Sequence, residues 1–312
     1  MSREVLILSR DAGDYLPCLH GLASRGVGLT AADTPQRALQ AWRGQEVLLA
    51  QPDLLAPVLE RMPGVRWVQS TWAGLRPLIE LPRRDYLLTG VKGVFGQQMA
   101  EYVLGHLLER ELRIPERRRR QRRCEWWAAE SGTLEGRCIG VMGTGSIAQD
   151  VARIARAFGM RTRGYSRGGA PAPHFEQVYA AAQLHDFLRE PDYLVGVLPD
   201  TPQTRGLLDA EAFAALRPTC VFVNIGRGSL VAEADLLAAL ERGQLAAAIL
   251  DVFAAEPLPP DSPLWRAPGV TVTAHVSGIS RVEQIARLFE ANYNRWAAGE
   301  QPEFIVDFER GY

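Results

Sequence analysis

The 312-residue chain is predicted to be an α/β protein made of two doubly wound parallel-sheet domains. Three observations carry this expectation. Short apolar runs of strand length recur along the chain and alternate with helix-length segments, a pattern that puts helices on both faces of a parallel sheet. The alternation is interrupted by a long amphipathic stretch near residue 100 and then restarts. At the restart, a glycine-rich turn joins a strand-like run to a helix-like one.

The first series has predicted strands at Val5–Leu8, Val47–Ala50, Val65–Val68 and Tyr86–Leu88, with helices over Thr34–Trp42 and Asp53–Arg61. A longer helix follows from about Gln98 to Arg113. Ala100, Val103, Leu104, Leu107 and Leu108 give it one apolar face, and Pro115 ends or offsets it. In the second series the strands are Cys138–Met142, Met160–Tyr165, Tyr193–Leu198, Cys220–Asn224, Ala247–Val252 and Val270–Thr273. Helices are predicted at Ile147–Phe158, Glu211–Leu216 and Glu233–Glu241, and a closing helix at Arg281–Ala298.

Composition narrows the function classes. Lys+Arg number 35 and Asp+Glu 36, so the net charge is −1. That balance argues against a surface devoted to nucleic acid or to an anionic membrane. Cys18, Cys124, Cys138 and Cys220 form no CxxC and have no nearby His pair. This spacing speaks against a zinc module or a disulfide framework and fits reduced cysteines in the cytoplasm. No stretch approaches the roughly 20 apolar residues of a membrane span, so a soluble protein is expected. Arg117–Arg123 holds six arginines in seven residues. It reads either as a nucleic-acid patch or localisation signal, or as an exposed helix paired with acids or at a subunit contact, and the neutral balance favours the latter. Trp126 and Trp127 are expected to pack between domains or subunits. His20, His106, His174 and His185 lie in no ligand spacing and are read as structural or surface groups.

The most informative stretch is Gly140-Val-Met-Gly143-Thr-Gly145-Ser146-Ile147-Ala148. Its G-x-G-x-x-A pattern sits directly after a strand and before a helix, the context in which such glycines bind a dinucleotide. Gly143 permits the tight turn, Gly145 lets a pyrophosphate approach the backbone, and Ala148 allows close helix–strand packing. The amides of the following helix, from Ser146 and Ile147 onward, face the phosphates. An NAD site usually carries an acid about 20 residues after the turn. Here the strand ending at Tyr165 is followed by Ser166-Arg167, with no acid. Arg167 suits a 2′-phosphate, to which Ser166 can donate a hydrogen bond, so NADP(H) is expected over NAD(H). The competing reading of Arg167 is a solvated loop residue.

Three more segments begin at strand C-termini, the edge where open α/β sheets bind ligands. They are Asn224-Ile-Gly-Arg227-Gly-Ser-Leu-Val231, Asp251-Val-Phe-Ala-Ala-Glu256-Pro-Leu-Pro259 and Thr273-Ala-His275-Val-Ser-Gly278. Their residue types suit carbonyl reduction. An arginine can hold a 2-keto acid's carboxylate and polarise its carbonyl. A histidine can protonate the carbonyl oxygen. A neighbouring glutamate would raise that histidine's pKa.

Taken together, these segments resemble the D-isomer-specific 2-hydroxyacid dehydrogenase family, in particular its glyoxylate/hydroxypyruvate reductase A branch. Val91–Tyr102, the Leu198-Pro199-Asp-Thr-Pro-Gln-Thr204 stretch, Ser262-Pro-Leu-Trp265 and the Asp307…Arg310-Gly-Tyr312 tail extend the likeness along nearly the whole chain. The resemblance implies a discontinuous, flavodoxin-like substrate domain (1–100 and 283–312) and a Rossmann NAD(P)-binding domain (101–282). It also implies an active site in the cleft between them and a homodimer.

Arg227 would bind the substrate, His275 would be the acid/base and Glu256 would orient it. Asp251 would bind the nicotinamide carboxamide. Leu198, Pro199, Thr204 and Ile225 would flank the cofactor. Trp72, Ala73 and Gly74 match the loop that holds the substrate carboxylate, against a plain core role for Trp72.

Some positions depart from the family pattern. Ala148 is the third turn glycine, Ala274 replaces the proline of "TPH", and Ala232 replaces a common acid, with Glu233 next to it. Trp72 stands where the family often has small residues. The implied reaction is NAD(P)H-dependent reduction of a small 2-keto acid to the D-2-hydroxy acid, with no metal, nucleic acid or membrane partner. The alternatives are a dehydrogenase for a bulkier 2-keto acid and a non-enzymatic, dinucleotide-sensing regulator.

Overall fold

The structure, a computed structural model, describes residues 4–309. The Arg310-Gly311-Tyr312 end, part of the family likeness, lies outside the described residues. Among those described, the chain forms two compact units, one from the residues up to Val94 together with those from Ser280 onward, and one from Phe95–Ile279.

The first unit is a five-stranded parallel sheet. Its strands are β1 (Glu4–Leu8), β2 (Gly28–Ala32), β3 (Val47–Ala50), β4 (Trp67–Ser70) and β5 (Leu87–Thr89), in the order β2-β1-β3-β4-β5. This is the flavodoxin-like order. β3 and β4 are buried at every position, because helices cover both faces of the sheet. β2 was not foreseen from the sequence. Gly28-Leu-Thr-Ala-Ala32 is an edge strand that is mostly half-exposed, and it lacks an apolar run. The Asp53–Arg61 stretch splits into a short helix, Pro52–Leu55, and a 3₁₀ turn, Leu59–Arg61.

The chain returns to this sheet at its end. Helix Val282–Ala297 lays Phe289 on Trp67 with ring centroids 5.4 Å apart, and both side chains are fully buried. Asn292, also buried, donates to Gln69 Oε1 at 2.9 Å and accepts from the Glu303 N–H at 2.8 Å. The tail then pairs with β5. The Gly90 N–H donates to the Phe304 carbonyl and the Val306 N–H to the Leu88 carbonyl, both at 2.9 Å. A sheet edge is thereby covered.

The second unit is a seven-stranded parallel sheet. Its strands are β6 (Cys138–Met142), β7 (Arg161–Tyr165), β8 (Gln177–Tyr179), β9 (Tyr193–Gly196), β10 (Val221–Asn224), β11 (Ala247–Leu250) and β12 (Val270–Val272). The order β12-β11-β10-β9-β6-β7-β8 reverses direction beside β6, as in a Rossmann sheet. β8, three residues long at the edge, also escaped the sequence pattern. Helix Gly96–Glu111 belongs to this unit, so the chain leaves the first sheet before residue 100. Asp150, on helix Ser146–Ala157, packs so tightly on Gly96 that a Cβ there would collide with its carboxylate. A core of Phe187, Phe213, Phe222, Leu194 and Leu236 fills one face of the sheet.

The arginine run falls in helix Ile114–Gln121, which buries no side chain. Glu116 pairs with Arg119 and Arg120, and Glu125 with Arg120. Arg113, Arg117 and Arg120 lie over the Trp127 ring at 5.5–5.9 Å. No helix of the described residues is long and apolar enough to cross a membrane.

Phe289→Ala removes the ring that covers Trp67. It is expected to destabilise the first unit by about 3–5 kcal/mol, read as a fall in the urea midpoint of tryptophan fluorescence.

Candidate active site

The dinucleotide turn follows β6. Gly143 has φ 121° and its N–H donates to the Tyr165 carbonyl at 2.8 Å, so the turn bends back towards β7 with a backbone only glycine adopts without strain. Gly145 caps helix Ser146–Ala157 without a side-chain hydrogen bond, and a Cβ on it would stand in open space. The first amides of that helix therefore have no side-chain cap and open ground before them, which suits a pyrophosphate. Ser146 is exposed and Ile147 half-buried, while Ala148 is packed inside.

At the end of β7 the Ser166 hydroxyl accepts from the Gly169 N–H at 3.2 Å, leaving its proton free to donate. Arg167 is exposed and makes no ion pair among the described residues. Past β9, the Thr204 hydroxyl donates to the Pro199 carbonyl at 2.6 Å and accepts from the Thr201 N–H at 2.9 Å. It ties the Leu198–Thr204 loop together. Ile225 is buried at the end of β10.

Arg227 follows Ile225 and Gly226. The Asn224 side chain fixes this turn, donating to the Arg227 carbonyl at 3.0 Å and accepting from the Gly226 N–H at 3.2 Å. Gly228 is pressed so closely on the Phe253 backbone that no Cβ fits there. This contact brings the loop after β11 against the loop after β10. Burial holds the Arg227 pKa below its ordinary value, against the opposing pull of the Glu256 and Asp200 carboxylates. Sequence reasoning gave Asp200 no role. The structure sets it within electrostatic reach of Arg227, bonded to Ser229 Oγ at 2.9 Å and to Arg205 Nε at 2.7 Å.

Glu256 divides its carboxylate between two donors. Oε1 accepts from the Phe253 N–H at 2.9 Å, and Oε2 lies 2.7 Å from His275 Nδ1. Glu233, at the first turn of helix Glu233–Glu241, accepts from the Ala254 N–H at 3.0 Å and so helps hold the same loop. Its partner lies 21 residues away, which no local signal reveals.

The bond to Glu256 pushes the His275 pKa up, and the glutamate's charge adds to this against the pull of burial and of Arg227. Burial raises the Glu256 pKa, but the bonds from His275 and Phe253, together with the nearby positive charges, bring it below its ordinary value. The pair thus favours imidazolium beside carboxylate.

His275 has φ 56°, a left-handed backbone that costs a non-glycine residue about 1–2 kcal/mol. Its support is Asp251, which is fully buried. The Asp251 carbonyl accepts from the His275 N–H, and its two carboxylate oxygens from the Val276 and Ser277 N–H groups, all at 2.9 Å. Thr273 Oγ1 donates to the same carboxylate at 2.5 Å. Asp251 was expected to face the nicotinamide carboxamide. Its carboxylate is enclosed and holds three donors from its own chain, and so braces the His275 turn.

In the first unit, Ser70 Oγ donates to the Trp72 carbonyl at 2.7 Å and accepts from its N–H at 3.0 Å. Trp72 and Gly74 are half-buried and Ala73 is exposed, which makes Trp72 a loop residue and not part of the core. Among the described residues no group of three or more His, Cys, Asp or Glu could hold a metal ion.

A dinucleotide turn, an Arg–Glu–His group and a Rossmann sheet together define an oxidoreductase of the hydroxyacid type. Residues 104–277 match the family model described as D-isomer specific 2-hydroxyacid dehydrogenase, NAD binding domain. The chain belongs to the D-isomer-specific 2-hydroxyacid dehydrogenase family. It is 38% identical to a glyoxylate/hydroxypyruvate reductase A of Serratia proteamaculans, over 90% of this chain and 89% of that one.

Among solved structures, a D-isomer specific 2-hydroxyacid dehydrogenase family protein from Aeromonas salmonicida superposes with TM-score 0.93 and 38% identity. The match covers 99% of this chain and 100% of that one. The NADPH-dependent glyoxylate/hydroxypyruvate reductase of Sinorhizobium meliloti, in complex with NADP and sulfate, gives TM-score 0.87 and 31% identity. It covers 99% of both chains.

Glu256→Gln removes the charge and weakens the bond that raise the His275 pKa. The imidazole is expected to lose its proton at lower pH in this variant, read by NMR titration of ring-labelled histidine.

Proposed function

We propose that the chain is an NAD(P)H-dependent reductase of small 2-keto acids of the glyoxylate and hydroxypyruvate type, forming the D-2-hydroxy acid. The 2.7 Å Glu256–His275 contact, on a strand edge it shares with Arg227, carries the reading. The names of the Serratia and Sinorhizobium relatives support the substrate class.

The Gly143–Ile147 turn would hold the pyrophosphate, and Ser166 with Arg167 the 2′-phosphate of NADP(H). Leu198, Pro199 and Ile225 would line the cofactor's path, with Thr204 keeping their loop in shape. A reduced nicotinamide bound there supplies the hydride. Arg227 binds the substrate carboxylate and polarises the carbonyl, and Trp72, Ala73 and Gly74 match the family's substrate loop. His275, held at Nδ1 by Glu256, gives the proton on Nε2 to the carbonyl oxygen and becomes neutral. Because the charged form is the donor, reduction is lost as pH rises through the raised His275 pKa.

The test is loss of absorbance at 340 nm with NADPH or NADH, against keto acids from glyoxylate to phenylpyruvate. Turnover of the small acids, faster with NADPH, is expected. Arg227→Ala should lower kcat/KM by about 10²-fold or more, since it removes a charge aimed at the developing oxyanion. Wild-type values in that variant would overturn the role of Arg227. Dinucleotide binding without any turnover would leave a nucleotide-sensing regulator.

The reading includes a cytoplasmic homodimer. The four cysteines are free, and Trp126 is 97% exposed beside the arginine-clasped Trp127. Sedimentation is expected to give twice the chain mass, and Trp126→Ser to lower it. A monomeric wild type would refute the dimer.

A further inference from the structure

We propose that Tyr102 is a positioning residue for the proton donor: through Thr273 and the buried Asp251 carboxylate, its hydroxyl holds the turn that carries His275. The proposal rests on the reductase reading above and adds a residue that has no part in it.

The chain of bonds starts on helix Gly96–Glu111, away from the strand edge. Tyr102 Oη lies 2.7 Å from Thr273 Oγ1, which lies 2.5 Å from Asp251 Oδ1. A threonine hydroxyl has one hydrogen, and an ionised carboxylate can only accept. The Thr273 hydrogen therefore goes to Asp251, and Tyr102 must be the donor to Thr273. The direction is fixed from tyrosine to threonine to carboxylate, and each bond polarises the next.

The far end of this relay is the strained part of the site. Asp251 gives its carbonyl to the His275 N–H and its two carboxylate oxygens to the next two amides. A left-handed histidine persists only where its surroundings over-determine it. Residue 274 is alanine, so no proline ring restricts the turn. The turn is held by hydrogen bonds.

The groups keep these roles across the working pH range. Burial pushes the Tyr102 hydroxyl up to about 12, so it remains a donor. Burial alone would raise the Asp251 pKa, but its bonds to Ser277, Thr273 and Val276 bring it below the ordinary value, so it remains an acceptor. The other charges to consider are Glu256, Arg227 and Asp251 around His275 itself, and His106 and Glu109 near the Tyr102 end. The His106 ring stands edge-on to Tyr102, with centroids 4.6 Å apart, and burial lowers its pKa against the pull of Glu109 and Asp251, favouring the neutral ring.

The test compares Tyr102→Phe, Thr273→Val, Thr273→Ser and the double variant Tyr102→Phe/Thr273→Val. Loss of the Tyr102 hydroxyl should reduce kcat by about threefold to tenfold, the worth of one hydrogen bond, with KM for the keto acid nearly unchanged. A loosened turn weakens the Glu256 bond, the largest force raising the His275 pKa. The alkaline limb of kcat should therefore move to lower pH, as should the His275 NMR titration. Thr273→Val should do the same more strongly, and Thr273→Ser should behave as wild type. The double variant should be no worse than Thr273→Val alone, because both changes break one relay.

Wild-type kcat and titration in Tyr102→Phe would overturn the proposal. So would a lower melting temperature with an unmoved His275 titration, the mark of a merely structural tyrosine. The titration needs no substrate. If the wild type reduces no keto acid, the reductase reading fails, while the NMR comparison still decides the part played by Tyr102.

Discussion

Parallel pairing throughout both sheets is the constraint on which the rest depends. In a parallel sheet every strand ends at the same edge, so consecutive loops of one kind converge there. In the second unit this gathers four loops far apart in sequence: the turn after β6, the Arg227 turn after β10, the Glu256 loop after β11 and the His275 turn after β12. Each strand is only three to five residues long and supplies little chemistry itself. Its work is to deliver a loop to a fixed place.

Delivery alone does not set geometry to within a hydrogen bond. That falls to a second set of groups without reacting atoms. Asn224 closes the arginine turn, Gly228 lets two loops touch, Glu233 and Phe253 anchor the glutamate loop, and Asp251 braces the histidine. The electrostatics are consistent with this division. The exposed carboxylate, Glu256, shares charge with the imidazole, whereas the enclosed one, Asp251, is spent on backbone amides and a hydroxyl. Two acids with similar intrinsic chemistry are given different tasks by their surroundings.

Much of this was legible in the sequence. Strands buried on both faces need continuous apolar runs, and Val5–Leu8, Val47–Ala50 and Cys138–Met142 display them. Arg227 and Glu256 could be found because each follows such a run within a few residues, and His275 because the short strand Val270–Val272, rich in β-branched residues, precedes it. The edge strands Gly28–Ala32 and Gln177–Tyr179 were not legible, since a half-covered strand need not be apolar. The service of Asp251 to the histidine turn and of Glu233 to the glutamate loop was also hidden. Both are pairings across more than 20 residues, which only the folded chain brings together.

The return of the last helix to the first sheet also has a consequence for synthesis. The ring of Trp67 is covered by Phe289 and Trp296, and Gln69 is satisfied by Asn292, all from the final stretch of the chain. A ribosome releases those residues only after every strand of both sheets. Until then the nascent first sheet presents a bare tryptophan ring, while the intervening unit already holds all its strands. The order of translation and the order of completion are therefore opposite. The amino-terminal third is the part most in need of shelter from a chaperone, and truncation near residue 280 would leave it permanently unfinished.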